Sequence, residues 1–173
     1  AAHPMNYCAL RYFNVAGADP LGRTGQSTAG ATHLIKVAVE AALGKRAHVA
    51  VFGTDFETKD GTGERDYIHV SDLVAAHVDA LEKLMAEPAR NHVMNCGYGK
   101  GFSVLEVLDA VERASNQKIA RVFQARRPGD PASLTADNSA ILAHLPWRPQ
   151  RDNLDMIVTD ALNWERKLGE RQV

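Results

Sequence analysis

Strand-like and helix-like hydrophobic patterns alternate along this chain, and that alternation constrains its fold more than any other feature. Met5 to Asn14 is an apolar run rich in strand formers without helical spacing, and reads as a buried strand. A Gly-, Thr- and Ser-rich loop follows from Gly17 to Gly30. Residues 32–43 carry Leu34, Ile35, Val37, Ala38, Val39, Ala41, Ala42 and Leu43 before Gly44, the pattern of a largely buried helix with a glycine stop. His48 to Phe52 reads as a short strand, and Thr54 to Glu64 as a polar turn. Ser71 is placed to cap a helix whose Val74, Val78, Leu81 and Met85 recur at helical spacing, with Pro88 just past its end. His92 to Cys96 is another strand, and Ser103 with Glu106 makes a capping-box pattern for a helix facing inward through Val104, Val107, Leu108 and Val111. Ile119 to Phe123 alternates as a strand does. Asp137 or Asn138 is placed to cap a short helix before Pro146, and Asp152 to open a last helix with Leu154, Ile157, Val158, Ala161, Leu162 and Leu168 inward. Elements that take turns in this way predict an α/β fold.

Composition bounds the rest. The 173 residues suffice for one domain with a core, or for part of a larger one. A formal net charge of −1 supplies no basic field for nucleic acid or anionic lipid. No apolar run approaches the roughly 18 residues that span a bilayer, so neither nucleic acid nor membrane is an expected partner. Cys8 and Cys96 make no disulfide framework and read as small buried residues of a reducing, cytoplasmic setting. The histidines show no paired ligand spacing, and no metal is expected. No G-x-S-x-G elbow points to a serine hydrolase. Gly97-Tyr98-Gly99-Lys100-Gly101 follows a strand and precedes a helix, as anion loops do. It fits neither G-x-G-x-x-G nor the P-loop, and reads as a tight strand-to-helix turn.

The run from Asp60 to Leu73 carries the chemistry. It joins a Gly/Asp turn, an Arg65-Asp66 pair, a short β stretch and a helix start. Arg127 sits in a second polar turn, with Asp130 close by. An arginine in such a place is either a solvated charge or a ligand group. Both sit at element boundaries, where loops present side chains, and Asp66 and Asp130 are placed to orient them. A guanidinium fork matches a diphosphate and keeps its charge when desolvated.

Three segments together, Asp60 to Leu73, Leu10 to Ala18 and Ala125 to Asp130, resemble the UDP-glucose 4-epimerases, a family of the extended short-chain dehydrogenase/reductases. The resemblance covers about Cys8 to Arg166 and follows only the C-terminal half of that family. It implies the last strands of a Rossmann-type sheet, near residues 5–14 and 92–96, plus the part that binds a UDP-sugar. By resemblance, Arg65 and Arg127 hold the diphosphate, and Asn14 reaches the UDP-sugar. Tyr12 and Phe13 lie near the nicotinamide end of NAD. His33 and Leu34 contact the nucleotide, His33 standing where the family has Asn; a structural helix-start role for it stays open. The backbone of Ala50 to Phe52 reads the uracil. Asp130 bonds the ribose or supports the arginine. Leu134 walls the sugar pocket, with a size that leaves N-acetylhexosamines tolerable. Val15 replaces the family's usual Pro.

Two parts of the family's machinery have no counterpart. Tyr7, Tyr12, Tyr67 and Tyr98 are followed four places on by Arg11, Ala16, Ser71 and Phe102, so no Tyr-x-x-x-Lys pair exists, and there is no glycine fingerprint for a dinucleotide. The chain, which starts without Met, is therefore expected to be the C-terminal part of a larger enzyme and inactive alone. NAD is expected mainly on the upstream half of the same protein, which would be this part's partner, and the complete enzyme is expected to form a homodimer. Exposed sheet edge and apolar faces should make the chain alone prone to association. A related UDP-sugar epimerase, dehydratase or decarboxylase, or a non-catalytic nucleotide-sugar-binding module, are the alternatives.

Overall fold

The apolar run at the start of the chain divides at Phe13. In the computed structural model, which describes residues 5–170, it gives two strands, β1 (Cys8–Tyr12) and β2 (Asn14–Ala16). There follow α1 (Leu34–Ala42), β3 (Val49–Phe52), β4 (Glu64–His69), α2 (Val70–Ala86), β5 (His92–Cys96) and β6 (Gly101–Ser103). The chain continues through α3 (Val104–Ser115), β7 (Arg121–Gln124), β8 (Ser133–Leu134), α4 (Ser139–His144) and α5 (Leu154–Glu170). The α/β alternation is as the patterns predict. The two-residue β8 and three-residue β6 lie below the length at which periodicity speaks.

β1 lies parallel to β5, with Cys8 opposite His92 and Tyr12 opposite Cys96. β2 lies parallel to β4, which also takes β6 antiparallel and β8 parallel. β3 pairs in parallel with β7, Phe52 opposite Gln124. The division at Phe13 thus sends one run of chain into two sheets. It also corrects the expectation of a buried first strand: Tyr7 and Tyr12 are 50% and 53% exposed. Among the described residues β1 has β5 as its one strand partner, which leaves its other edge open. β7 is similarly one-sided, leaving Phe123 exposed.

Two apolar clusters hold the fold. The first packs α1, α3 and α5 on β3 through Ile35, Val39, Val49, Val51, Leu108, Val111, Ile157 and Leu162. The second packs α2, β5 and α4 through Leu73, Ala76, Ala80, Met94, Ile141 and Trp147. Tyr98 touches both. Its hydroxyl donates to Asp72 Oδ2 at 2.7 Å and accepts from the His69 N–H at 3.0 Å. Asp72, itself buried, also accepts the N–H groups of Gln150 and Arg151.

α2 overturns its expected orientation. Val74, Val78, Leu81 and Met85 are exposed, Met85 by 74%, while Asp72, Leu73, Ala76 and Ala80 face inward. The two alanines let the helix approach the strands closely, and the Asp72 network fixes its rotation; the larger residues form a second stripe pointing out. Its cap is His69 instead of Ser71: His69 Nδ1 accepts the Ser71 N–H at 3.0 Å. Because Nδ1 accepts, the ring proton lies on Nε2, which donates to Asp160 Oδ2 at 3.1 Å. The α3 capping box is complete in both directions. At α5 the capping side chain is Asn153, accepting the Met156 N–H, in place of Asp152.

Candidate functional site

Arg65 stands on β4, the central strand of its sheet, where β8 on one side and β6 on the other fix its backbone. Its Nη1 donates to the carbonyl oxygens of Glu64 at 2.7 Å and Pro131 at 2.9 Å, which leaves the rest of the fork to face a cleft of about 520 Å³. Arg127 reaches the same cleft from the loop after β7. Asp130 orients it, accepting Nε at 3.0 Å and lying 2.9 Å from Nη2, and its Cζ sits 4.7 Å from the Phe52 ring centroid. Such a stack fixes a guanidinium plane without consuming its donors.

The same cleft is lined by Asn14, His33, Leu34, Ala50, Phe52 and Asp130. A smaller cavity of about 250 Å³ is lined by Tyr12, Phe13, Asn14, Arg65, Asp66 and Leu134. Asn14 and Arg65 border both. All eleven candidate positions therefore gather at two adjoining hollows, although they are spread from residue 12 to residue 134. His33 is the N-cap residue of α1 without a side-chain cap bond; its Nδ1 lies 3.1 Å from Gln26 Nε2.

Asp66 departs from its expected role. It is fully buried and does not orient Arg65. On a strand, neighbours point to opposite faces, and Asp66 turns to the glycine loop. There it accepts the N–H groups of Tyr98 at 3.1 Å, Gly99 at 2.9 Å and Ala136 at 3.2 Å. The loop's amides thus bind an internal carboxylate, which is why it is a turn and offers no phosphate cradle. A Cβ on Gly97 would lie 2.7 Å from Asp66 Oδ2, so only glycine admits this approach.

Sequence reasoning missed the charged floor of the cleft. Lys36 and Glu165 are buried, line it and form an ion pair across 129 positions of sequence. Lys45 adds a second contact to Glu165 at 2.6 Å, and Glu40 joins Lys36 to Arg46. Burial opposes the Glu165 charge, but the hydrogen bonds and charges of Lys36 and Lys45 outweigh it and hold the carboxyl below its ordinary value. These side chains also grip the wall between residues 17 and 33. Trp164 Nε1 donates to Gln26 O at 3.0 Å, Arg46 to Ala31 O at 3.0 Å, and Lys167 to Gly22 O at 2.6 Å. The available signal was Lys36 itself, a cation inside the apolar stretch Leu34 to Val39. Tyr67, opposite Asn14 on β4, also lines the cleft. Burial pushes its phenol up to about 12, against the pull of Arg65 and its hydrogen bond with the Asn14 side chain.

Comparison with known proteins gives a consistent picture. A UDP-glucose 4-epimerase of Azospirillum brasilense is 55% identical over 170 residues, covering 98% of this chain and 49% of that protein. One from Halalkalibacterium halodurans is 43% identical, covering 96% of this chain and 49% of its own length. Among solved structures, a UDP-glucose 4-epimerase from Stenotrophomonas maltophila with bound NAD and formylated UDP-arabinopyranose superposes with a TM-score of 0.92 at 36% identity, over 98% of this chain and 50% of that one. One from Bifidobacterium longum, in complex with NAD+ and UDP, gives 0.85 at 38% identity, over 96% and 49%. The chain spans about half the length of the curated relatives it matches, their C-terminal part. The profile of the NAD dependent epimerase/dehydratase family matches residues 1–97, more than half of the sequence, and the chain belongs to that family.

Proposed function

We propose that this chain is the UDP-sugar-binding part of a UDP-glucose 4-epimerase. The observation that carries the reading is the convergence of two arginine forks, Arg65 and Arg127, on one cleft walled by Asn14, His33 and Leu34 and the Ala50 to Phe52 strand. Two forks with free donors suit a diphosphate. Phe52 and the β3 backbone border the end suited to a uracil, and Leu134 and Asn14 border the smaller cavity toward the sugar. In this reading the complete protein interconverts UDP-glucose and UDP-galactose.

NAD is the cofactor this family implies. The small cavity with Tyr12 and Phe13 fits contact with one end of it, and about 250 Å³ has no space for a whole dinucleotide. The glycine loop does not hold its pyrophosphate, because Asp66 takes up those amides. When bound, NAD supplies the hydride acceptor and donor for C4 of the sugar. This chain's residues bind the diphosphate, orient the sugar and wall it from water. Tyr67, with its phenol held near 12, is no general base at neutral pH. The base and most of the cofactor site belong, in this reading, to the upstream half of the same protein, in a cytoplasmic enzyme that functions as a homodimer.

The test has two arms. Isothermal titration of UDP into the full-length protein is expected to show binding that weakens about thirtyfold with Arg65→Ala or Arg127→Ala. The full-length protein is expected to convert UDP-galactose to UDP-glucose, and the 173-residue chain alone to show no turnover. Unimpaired UDP binding after both substitutions would refute the assignment.

A further inference from the structure

Arg127 is held within its own loop by Asp130, three residues on, and rests on Phe52. A further tie of that loop to the body of the protein comes from the neighbouring side chain. Arg126 stacks its guanidinium on Phe56, Cζ lying 4.1 Å from the ring centroid. Its Nε donates to Asp55 Oδ1 at 2.6 Å, and its Nη2 donates to the Asp55 backbone oxygen. Asp55 and Phe56 belong to the turn that leaves β3, the strand carrying Phe52. Two arginines in succession therefore stack on two phenylalanines of one segment. Gly53 makes room for this: a Cβ there would lie 2.8 Å from Arg126 Cγ, and its φ of +82° favours glycine. Its N–H donates to Gln124 O at 2.9 Å, the last tie before the loop departs. Arg126 itself does not line the cleft.

We propose that Arg126 is a positioning residue: clamped between Phe56 and Asp55, it holds the 125–130 loop so that Arg127 meets the diphosphate. The inference rests on the nucleotide-sugar reading above. The bland alternative is a surface ion pair worth little to binding, since Asp55 is 73% exposed. The two readings differ in sign for one substitution. Asp55→Asn removes a negative charge near the anion site, so simple electrostatics predicts tighter UDP binding. Positioning predicts weaker binding, because Arg126 loses the charged part of its anchor and keeps only the ring stack, the backbone oxygen and a neutral acceptor. Arg126→Lys keeps the charge but loses the fork and the flat stack.

Isothermal titration of UDP and of uridine into the full-length wild type and both variants decides the matter. Uridine carries the base and ribose without the diphosphate. We expect the UDP dissociation constant to rise about tenfold in Asp55→Asn and Arg126→Lys, while that for uridine stays within about twofold. UDP binding that is unchanged or tighter in Asp55→Asn, or a parallel loss of UDP and uridine, overturns the inference. A wild type that binds no UDP overturns instead the reading on which it rests.

Discussion

Arg65 and Arg127 differ in how firmly they are held. Arg65 is tied to two carbonyl oxygens from a central strand, whereas Arg127 is 61% exposed and held by Asp130 and a ring. Loss of either fork should weaken UDP binding by about 2 kcal/mol, with Arg65→Ala the more damaging to stability because it also removes the tie between β4 and Pro131. Titration beside a urea melt separates the two effects. Leu134, half-exposed in the smaller cavity, sets a second residue-scale outcome. Leu134→Tyr should narrow the wall and lower turnover of UDP-N-acetylglucosamine more than that of UDP-glucose, read as a kcat/KM ratio. His69 governs a third. Burial holds its imidazole below the ordinary 6.5, with Asp160 pulling the other way. The unfolded chain therefore takes up this proton before the fold does. The stability His69 contributes is full above about pH 6.5 and is lost as pH falls through the folded value. Urea midpoints should fall between about pH 7.5 and about pH 5.5, and the slope should flatten in His69→Asn.

At the scale of elements, the best-read helix is α3. Its capping box was visible as Ser103 and Glu106, and both bonds form; Ser103 Oγ also donates to Asp60 Oδ2, tying the cap to the polar turn. Ser103→Ala should cost about 1 kcal/mol or more of folding stability, measured by chemical denaturation. α2 shows where periodicity misleads. It carries two apolar stripes, and the bulkier one was the obvious choice for the core. Side-chain volume gave the wrong answer, because the inward face is built from Leu73, two alanines and a buried Asp72 whose partners lie 26 to 79 residues away. Asp66 was misread for a related reason. Its donors are backbone N–H groups of two distant segments, and no local pattern in Glu64 to His69 announces them. The candidate site was legible because motifs placed its residues, whereas Lys36 and Glu165 needed the packing of α1 on α5 before their pairing could be seen.

For the whole molecule, the outward stripe of α2 continues toward Tyr12, whose ring lies 6.2 Å from that of His77 on the same helix. A contiguous apolar face of this kind is sticky in water. The 173-residue chain alone should self-associate in light scattering, and Val78→Glu with Leu81→Lys should return it toward a monomer of 18.8 kDa. Coexpressed upstream half, if it covers this face, should solubilise the unmodified chain equally well. The ties between the wall at residues 17–33 and the last helix have another consequence, for the order of events during synthesis. Trp164 reaches back 138 positions to Gln26, and Lys167 reaches back 145 to Gly22. A ribosome that has made both arginines, both phenylalanines and every described strand has still not made Trp164 and Lys167, two of the side chains that fasten the cleft wall. The α5 ties of this wall therefore form late, with the final turns of the helix, and a nascent chain stalled before Asn163 has the forks and the Arg46 tie to Ala31 but lacks the ties from Trp164 and Lys167.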